Sequence, residues 1–522
     1  MKKMNLKISA GVLSILLIAS SCNDFLDINE NPNSPITADV QLVLPQAIVA
    51  SANIASQFNN YGAHFGGFMA NAGGFSGFGN LLSYNLTAGD YNGLWVNTYQ
   101  DPLQDLKYVI DKTEGVDALS YFNAAAKIMT VVNYQRLVDA FGNIPYTQAL
   151  RGSEGITAPV YDDAATVYTS LIAKLDEAID LIDNAQFPLS LKNATDSRAY
   201  DPLFKGEILD WKRYANTLKL RMFIRTGNAA GVASIDLGVG FLTSDAVVNP
   251  GYEKNRPNPT WNAWGRSTTD ALSNSSRIPT SFAFAFYGGT GSKISDTGRG
   301  ESIYVDFPAT PTNQLGNEVN NPTIIAGKVT WASTDPGLLG TGVLKGPAMG
   351  SPLMLKAEAN FLIAEAQLRG YLAGGVPEMT KSFYKGIKSS YAYLYQDESG
   401  AMKDTTGRVA TYITVNAGNR LVEIEQAATT DERLEAIITQ KYIAMNMITS
   451  DEAWNEYRRT GFPVSIPGGG ARVDIASNKS TITSRPDRMP TRAMYPSSEQ
   501  SFNAKNYVSI DFRSDRIFWD PN

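Results

Sequence analysis

Apolar residues between Leu434 and Ile448 return at three- and four-residue steps, with Leu434, Ile437 or Ile438, Tyr442, Met445 and Ile448 in register. That period sets side chains on one helix face, so the spacing predicts a helix that buries a stripe. Directly after it, Ser450 precedes Asp451 and Glu452, a capping residue followed by acids where a second helix presents its positive end. Gly461 and Pro463 close that second helix. The two form a hairpin that carries Trp454 inward and the Arg458-Arg459 pair near its exit.

The same period recurs along the chain. Thr37 to Phe58 reads as a helix started by Thr37 and Asp39, with Val40, Leu44, Ala47, Ile48, Ser51 and Ile54 on its stripe. Trp95 keeps register with Tyr99, Leu103 and Leu106, which marks it as a core residue of the next helix. Ser120 to Ala140 is predicted as a strongly amphipathic helix, stopped by Gly142 and Pro145. Further helices follow after Pro159-Val-Tyr-Asp-Asp163, over Trp211 to Arg225, from Pro352 to Gly370, and from Glu378 to Leu394. Helices of similar length joined by short irregular stretches predict stacked helical hairpins, although no exact sequence period is visible.

Two stretches break the pattern. Gly62 to Gly79 holds seven glycines among Phe65, Phe68, Phe75 and Phe78, a composition that predicts a long aromatic loop. A short strand is predicted at Tyr84 to Thr87. From about residue 227 to 350 the chain turns to Gly, Pro, Ser, Thr and Asn, predicting loop-rich structure. Within it, Trp261-Asn-Ala-Trp264 sets two indoles beside Arg266, after an extended Asn255-Arg-Pro-Asn-Pro259. Indole faces suit apolar sugar faces or partner side chains, and a guanidinium supplies donors. Phe75, Phe78, Trp261, Trp264 and Arg266 are therefore the candidate ligand contacts. Glu358 and Glu365 would lie about 10 Å apart on a helix, wider than the usual inverting glycosidase pair, and read as solvated or capping acids.

Composition narrows the chemistry. The 522 residues allow two or three domains as a soft guide, and 43% hydrophobic with 18% charged residues describe a globular chain. A formal charge of −6 argues against nucleic acid as partner. The single histidine, His64, and single cysteine, Cys22, exclude His/Cys zinc sites and intrachain disulfides, and no G-x-S-x-G elbow accompanies His64. No EF-hand-like spacing appears, and no cofactor is expected beyond a covalent lipid, with a structural calcium left open.

That lipid comes from the N-terminus. Lys2, Lys3 and Lys7 precede an apolar run from Ile8 to Ala19, too short for a stable membrane span and suited to a secretory signal. It ends in Leu17-Ile-Ala-Ser-Ser-Cys22, which resembles the lipobox read by bacterial lipoprotein signal peptidase. The resemblance implies that residues 1–21 are removed and that Cys22 carries several acyl chains, enough for stable anchoring where one chain is marginal. Removal leaves 42 basic against 51 acidic side chains, a formal −9. Residues 22–36, rich in Asn and Pro with Asp24, Asp27 and Glu30, read as a solvated tether ahead of a domain over 37–522.

Several blocks together resemble the SusD/RagB superfamily, in its second SusD-like branch. They are the lipobox, Phe141-Gly-Asn-Ile-Pro-Tyr-Thr-Gln-Ala149, Trp211 to Arg221, Glu358 to Ala366, Glu452 to Pro463, and Arg492-Ala-Met-Tyr-Pro-Ser-Ser-Glu-Gln500. The resemblance implies a mainly α fold, in which tetratricopeptide-like hairpins pack against a loop-rich, irregular half in a single domain. It also implies an outer-membrane lipoprotein facing the exterior, which binds glycan nutrients and acts as the lid of a SusC-like TonB-dependent barrel without breaking bonds. Peptide binding on the same architecture, a lipid-anchored glycoside hydrolase and an adhesin are the alternatives. Metabolic labelling with palmitate is expected to mark the wild-type chain and not a Cys22→Ala variant; label retained in the variant would contradict the lipidation reading.

Overall fold

A computed structural model of the protein describes residues 38–73, 80–196, 198–288, 292–317, 322–403, 405–464 and 474–522. The leader, Cys22, the tether, Phe75 and Phe78 lie outside the described residues. The longer helices are α1 (Val40–Phe65), α2 (Gln104–Thr113), α3 (Ser120–Phe141), α4 (Ala164–Asn184), α5 (Ile208–Arg225), α6 (Lys356–Leu368), α7 (Gly375–Leu394), α8 (Thr430–Met445) and α9 (Ser450–Thr460). Consecutive pairs α2/α3, α3/α4, α4/α5, α6/α7 and α8/α9 pack as hairpins, while α1 lies across α2, α3 and α9. Two small antiparallel sheets join distant parts of the chain: β1 (Met69–Asn71) pairs with β3 (Arg277–Pro279), and β2 (Ala246–Val248) with β4 (Ser351–Met354). The expected mainly α fold of hairpins against an irregular half is what the structure shows. Among the described residues the main hydrophobic core runs from Val40 to Trp519, with a small satellite around Leu220, Phe223 and Leu362, so the length prior of two or three domains is not realised.

Local chemistry explains the helix ends. Asp39 caps α1 through the Gln41 amide, and Asp163 caps α4 through Thr166. Thr429 and Glu432 form a reciprocal capping box at α8. Gly461, at a φ of 75°, ends α9 as expected. Ser450 opens α9 as its first residue, after Thr449, and its hydroxyl accepts from the Met447 amide.

Four expectations are corrected. First, α1 does not end at Phe58 ahead of a loop that begins at Gly62. A Cβ there would lie 2.0 Å from the Asp451 backbone nitrogen, so this glycine serves the close crossing of α1 and α9 and the helix runs on to Phe65. Second, Tyr84–Thr87 forms no strand, because Tyr84 takes a φ of 54° and Asp90 holds Thr87 in a turn. Third, Pro352 belongs to β4, and α6 begins only at Lys356. Fourth, α3 is buried around its whole circumference and presents no solvated face. Several of its polar side chains find partners there: the Asn133 amide donates to Ser51 and the Met129 carbonyl, and Lys127 reaches out to Glu177 at 2.8 Å.

The helices also bury charge. Arg225 of α5 sits between Asp139 of α3, at 2.5 Å, and Glu452 of α9. Arg221 bridges Glu452 at 3.4 Å and Glu358 of α6 at 3.3 Å. Lys441 of α8 joins Glu358 and Glu456, Arg459 clamps Glu365 with both terminal nitrogens at 2.7 Å, and Arg136 reaches Asp451 at 3.1 Å. All these groups are buried. Glu358 and Glu365 are thus core ion-pair members rather than solvated acids. Burial alone would raise Glu452, but Arg221 and Arg225 outweigh it and hold its carboxyl at about 2. Asp451 goes the other way, pushed up to about 6 by burial that Arg136 only partly offsets.

Removing one member of such a network strands its partners in a medium that cannot solvate them. Glu452→Gln is expected to destabilise by about 3 to 5 kcal/mol in denaturant titration, whereas a loss below about 1 kcal/mol, the scale of a surface pair, would contradict this reading. His64 provides a pH test. Burial, with the charge of Arg277, lowers its pKa to about 3, and Tyr91 Oη lies 2.6 Å from its Nδ1. Between the ordinary 6.5 and about 3 only the unfolded chain binds this proton, so its contribution to stability drains as pH falls through that window, at up to about 1.4 kcal/mol per unit. The stability of His64→Asn is expected to fall less steeply than wild type between pH 6 and 4; parallel profiles would refute it.

Candidate functional site

A groove opens where three segments meet: the irregular turn before α2, the bend after α3, and the C-terminal tail. The first segment is a helix, Asn92–Thr98, that passes into a π turn, Tyr99–Leu103. Pro102 lies in that turn and has no N–H to give to a regular ladder, which accounts for the widened turn. The second segment, Ile144 to Leu150, is pinned by Asp162, whose carboxylate accepts from the Tyr146 and Thr147 amides and the Thr147 hydroxyl at 2.8–2.9 Å. Leu150 ends it at a φ of 61°, a conformation rarely held by a branched residue. The third is a six-residue helix, Ser497–Phe502. Asn503 and Asn506 tie it to the second segment's neighbour by donating to the Pro159 carbonyl.

The hollow between them holds about 470 Å³ and is walled by Trp95, Val96, Tyr99, Gln100, Pro145, Leu150, Pro159, Ser498, Glu499 and Phe502. Trp95 packs edge-on against Phe141 and Tyr495, leaving only its rim to the groove. The Tyr99 hydroxyl donates to the Pro145 carbonyl at 2.6 Å, which fixes its ring as a wall. Phe502 is 81% exposed at the mouth, an apolar ring with no intramolecular cover. Glu499 accepts from Tyr161 and Asn503, and its carboxylate stands beside the exposed Gln100 amide and Ser498. Flat apolar faces with carboxylate, amide and hydroxyl groups around them suit a sugar ring, which has apolar faces and an edge of hydroxyls. A larger hollow of about 600 Å³ between the α2–α3 turn and α4 has four acids and no aromatic face, and fits such a ligand less well.

Of the contacts expected from sequence, Phe75 and Phe78 lie outside the described residues, and Trp261, Trp264 and Arg266 do not line this groove. Trp264 is 6% exposed and packs edge-on against buried Trp331 at 5.3 Å, so its indole belongs to the core and offers no surface to a ligand. Arg266 turns its fork onto the backbone carbonyls of Asp270 and Gly327, which engages two of the donors assigned to a ligand. Trp261 is half-buried, with Gly265 under its ring. His64 is a buried core residue, and among the described residues no group of three or more His, Cys, Asp or Glu side chains is placed to hold a metal. No helix of the described residues is long and apolar enough to cross a membrane.

Sequence reasoning placed Trp95 in the core correctly but passed over Tyr99 and Phe502 as groove residues. Two signals were present: a proline three residues after Tyr99 inside an apolar stripe, and a lone phenylalanine closing the polar run Ser497-Ser-Glu-Gln-Ser.

The helical hairpins and the groove define the class: a mainly helical scaffold. The chain matches the SusD-like_2 family model, described as "Starch-binding associating with outer membrane", over residues 32–496, and belongs to that family. Solved structures agree in fold. A chitin-binding protein superposes with a TM-score of 0.67 at 21% identity, covering 92% of this chain and 99% of that one. A chitin-binding SusD homologue from Flavobacterium johnsoniae gives 0.65 at 21%, and a SusD homologue from Bacteroides uniformis 0.64 at 21%, each with the same coverage. No curated protein matches the sequence.

Proposed function

We propose that this protein is a cell-surface glycan receptor, held on the outer membrane by lipid on Cys22, that passes its cargo to a SusC-like TonB-dependent barrel and closes over it as a lid. The single observation that carries glycan capture is the aromatic groove, where exposed Phe502 and the fixed ring of Tyr99 stand beside Glu499, Gln100 and Ser498. The family's description as starch-binding and the chitin-binding names of two structural relatives support the same ligand class. Binding of this kind needs no cofactor, and cleavage of the cargo is not part of the proposal. Glu358 and Glu365 lie in the core beyond reach of a substrate. Trp261, half-buried and not among the residues that line the groove, is a second proposed contact.

Calorimetry of the full chain against starch- and chitin-derived oligosaccharides and a polysaccharide panel tests this reading. Phe502→Ala is expected to weaken binding about tenfold, the 1.4 kcal/mol scale of a lost ring contact, with no new reducing ends formed by the wild type. Binding unchanged by Phe502→Ala would remove the groove from the account, and uniform failure across the panel would remove the glycan.

A further inference from the structure

Across Ala149 and Leu150 the groove meets a second hollow of about 320 Å³, lined by Lys107, Asp111, Tyr134, Tyr146, Arg151 and Lys174. Tyr134 and Tyr146 meet edge to face at 4.9 Å, and Tyr134 also touches Tyr99 of the first hollow, so one aromatic wall serves both. The charges on this wall are unequally satisfied. Lys107 pairs with Asp111 at 2.5 Å, and the Arg151 fork closes on Glu154. Lys174, on α4, has no hydrogen bond or ion pair among the described residues, although it is half-buried. No acid forms a close pair with it: Glu177 is bonded to Lys127 at 2.8 Å and, like Glu114, acts on Lys174 only through its charge. Burial, the main influence on Lys174, pulls its pKa down, as expected of a cation that lacks a close partner.

We propose that the second hollow is an acidic-sugar subsite, in which Lys174 receives the anionic group of a glycan whose neighbouring ring rests on Tyr99 and Phe502. This rests on the glycan reading above and specifies its ligand as a sugar carrying a carboxylate or a sulfate ester. The two ends of the groove then differ in sign. Glu499 favours hydroxyl donors at one end, and the Lys174 ammonium, held in no close ion pair, favours an anion at the other. The formal charge of −9 that remains without residues 1–21 repels a densely sulfated polymer at long range, so the fitting ligand carries sparse charge.

The test compares tetrasaccharides of galacturonate, guluronate and glucuronate with their methyl esters, which replace each carboxylate by a neutral group, and adds a singly sulfated galactose tetrasaccharide, all by calorimetry on the full chain at low salt. At least one acid is expected to bind tenfold or more tighter than its neutral counterpart, a preference that shrinks as salt rises. Lys174→Met is expected to erase that preference while leaving ester binding unchanged, and Lys174→Arg to retain it. Preference for the uronates identifies a carboxylate ligand, and preference for the sulfated sugar alone a sulfate ester. Equal binding of acid, sulfated and neutral forms, or a preference that survives Lys174→Met, overturns the subsite. If the neutral forms still bind and Phe502→Ala weakens them, the receptor reading stands without it; if no form binds, both fall.

Discussion

The fold depends on an ion-pair network that no water reaches. Arg136, Arg221, Arg225, Lys441 and Arg459 are matched in the interior by Asp139, Glu358, Glu365, Asp451, Glu452 and Glu456. Arg458 adds a further buried cation, which donates to the Asp139 and Thr491 carbonyls. Each ion alone would cost several kcal/mol to bury, so these groups are tolerable only when every helix that carries one is in place. The network therefore works less as a source of net stability than as a condition: α3, α5, α6, α8 and α9 must dock in one register to satisfy it. Apolar packing around it, with Trp454 stacked between Tyr457 and Phe65, supplies the favourable burial.

The same network moors the binding groove. Arg458 ties the end of α3 to the tail at Thr491, and Trp519 donates to the Asp139 carboxylate from the far end of that tail. The Ala493 amide continues the link by donating to the Ala140 carbonyl, while the Arg492 guanidinium lies against Gly142. With the tail held there, Tyr495 reaches the Asn143 carbonyl and the Ser497–Phe502 helix stands opposite Tyr99. A site on loops is made definite by charges buried behind it.

Much of the scaffold was legible in the sequence, because helical periodicity and capping act locally. The hairpin of α8 and α9, the inward Trp454 and the stop at Gly461 needed only neighbouring residues. What failed was information held by distant segments. Gly62 looks like a breaker until α9 is laid across it, and α3 looks amphipathic until the partners of its polar side chains are known. The acids at 358 and 365 look solvated until the arginines of two other helices arrive. The site was the least legible part for the same reason. Trp264 has the composition of a sugar platform but is covered by Trp331, whereas Phe502, in an inconspicuous polar run, is left bare.

The account places ligand capture at the junction of the π turn, the bend after α3 and the C-terminal helix, on a framework that does not change when ligand arrives. Hydrogen exchange of the full chain, with and without a bound oligosaccharide, tests that directly. The account predicts new protection confined to residues 97–103, 145–151 and 497–503, with exchange in α3, α5 and α9 unaltered. Protection confined instead to residues 255–277 would contradict it.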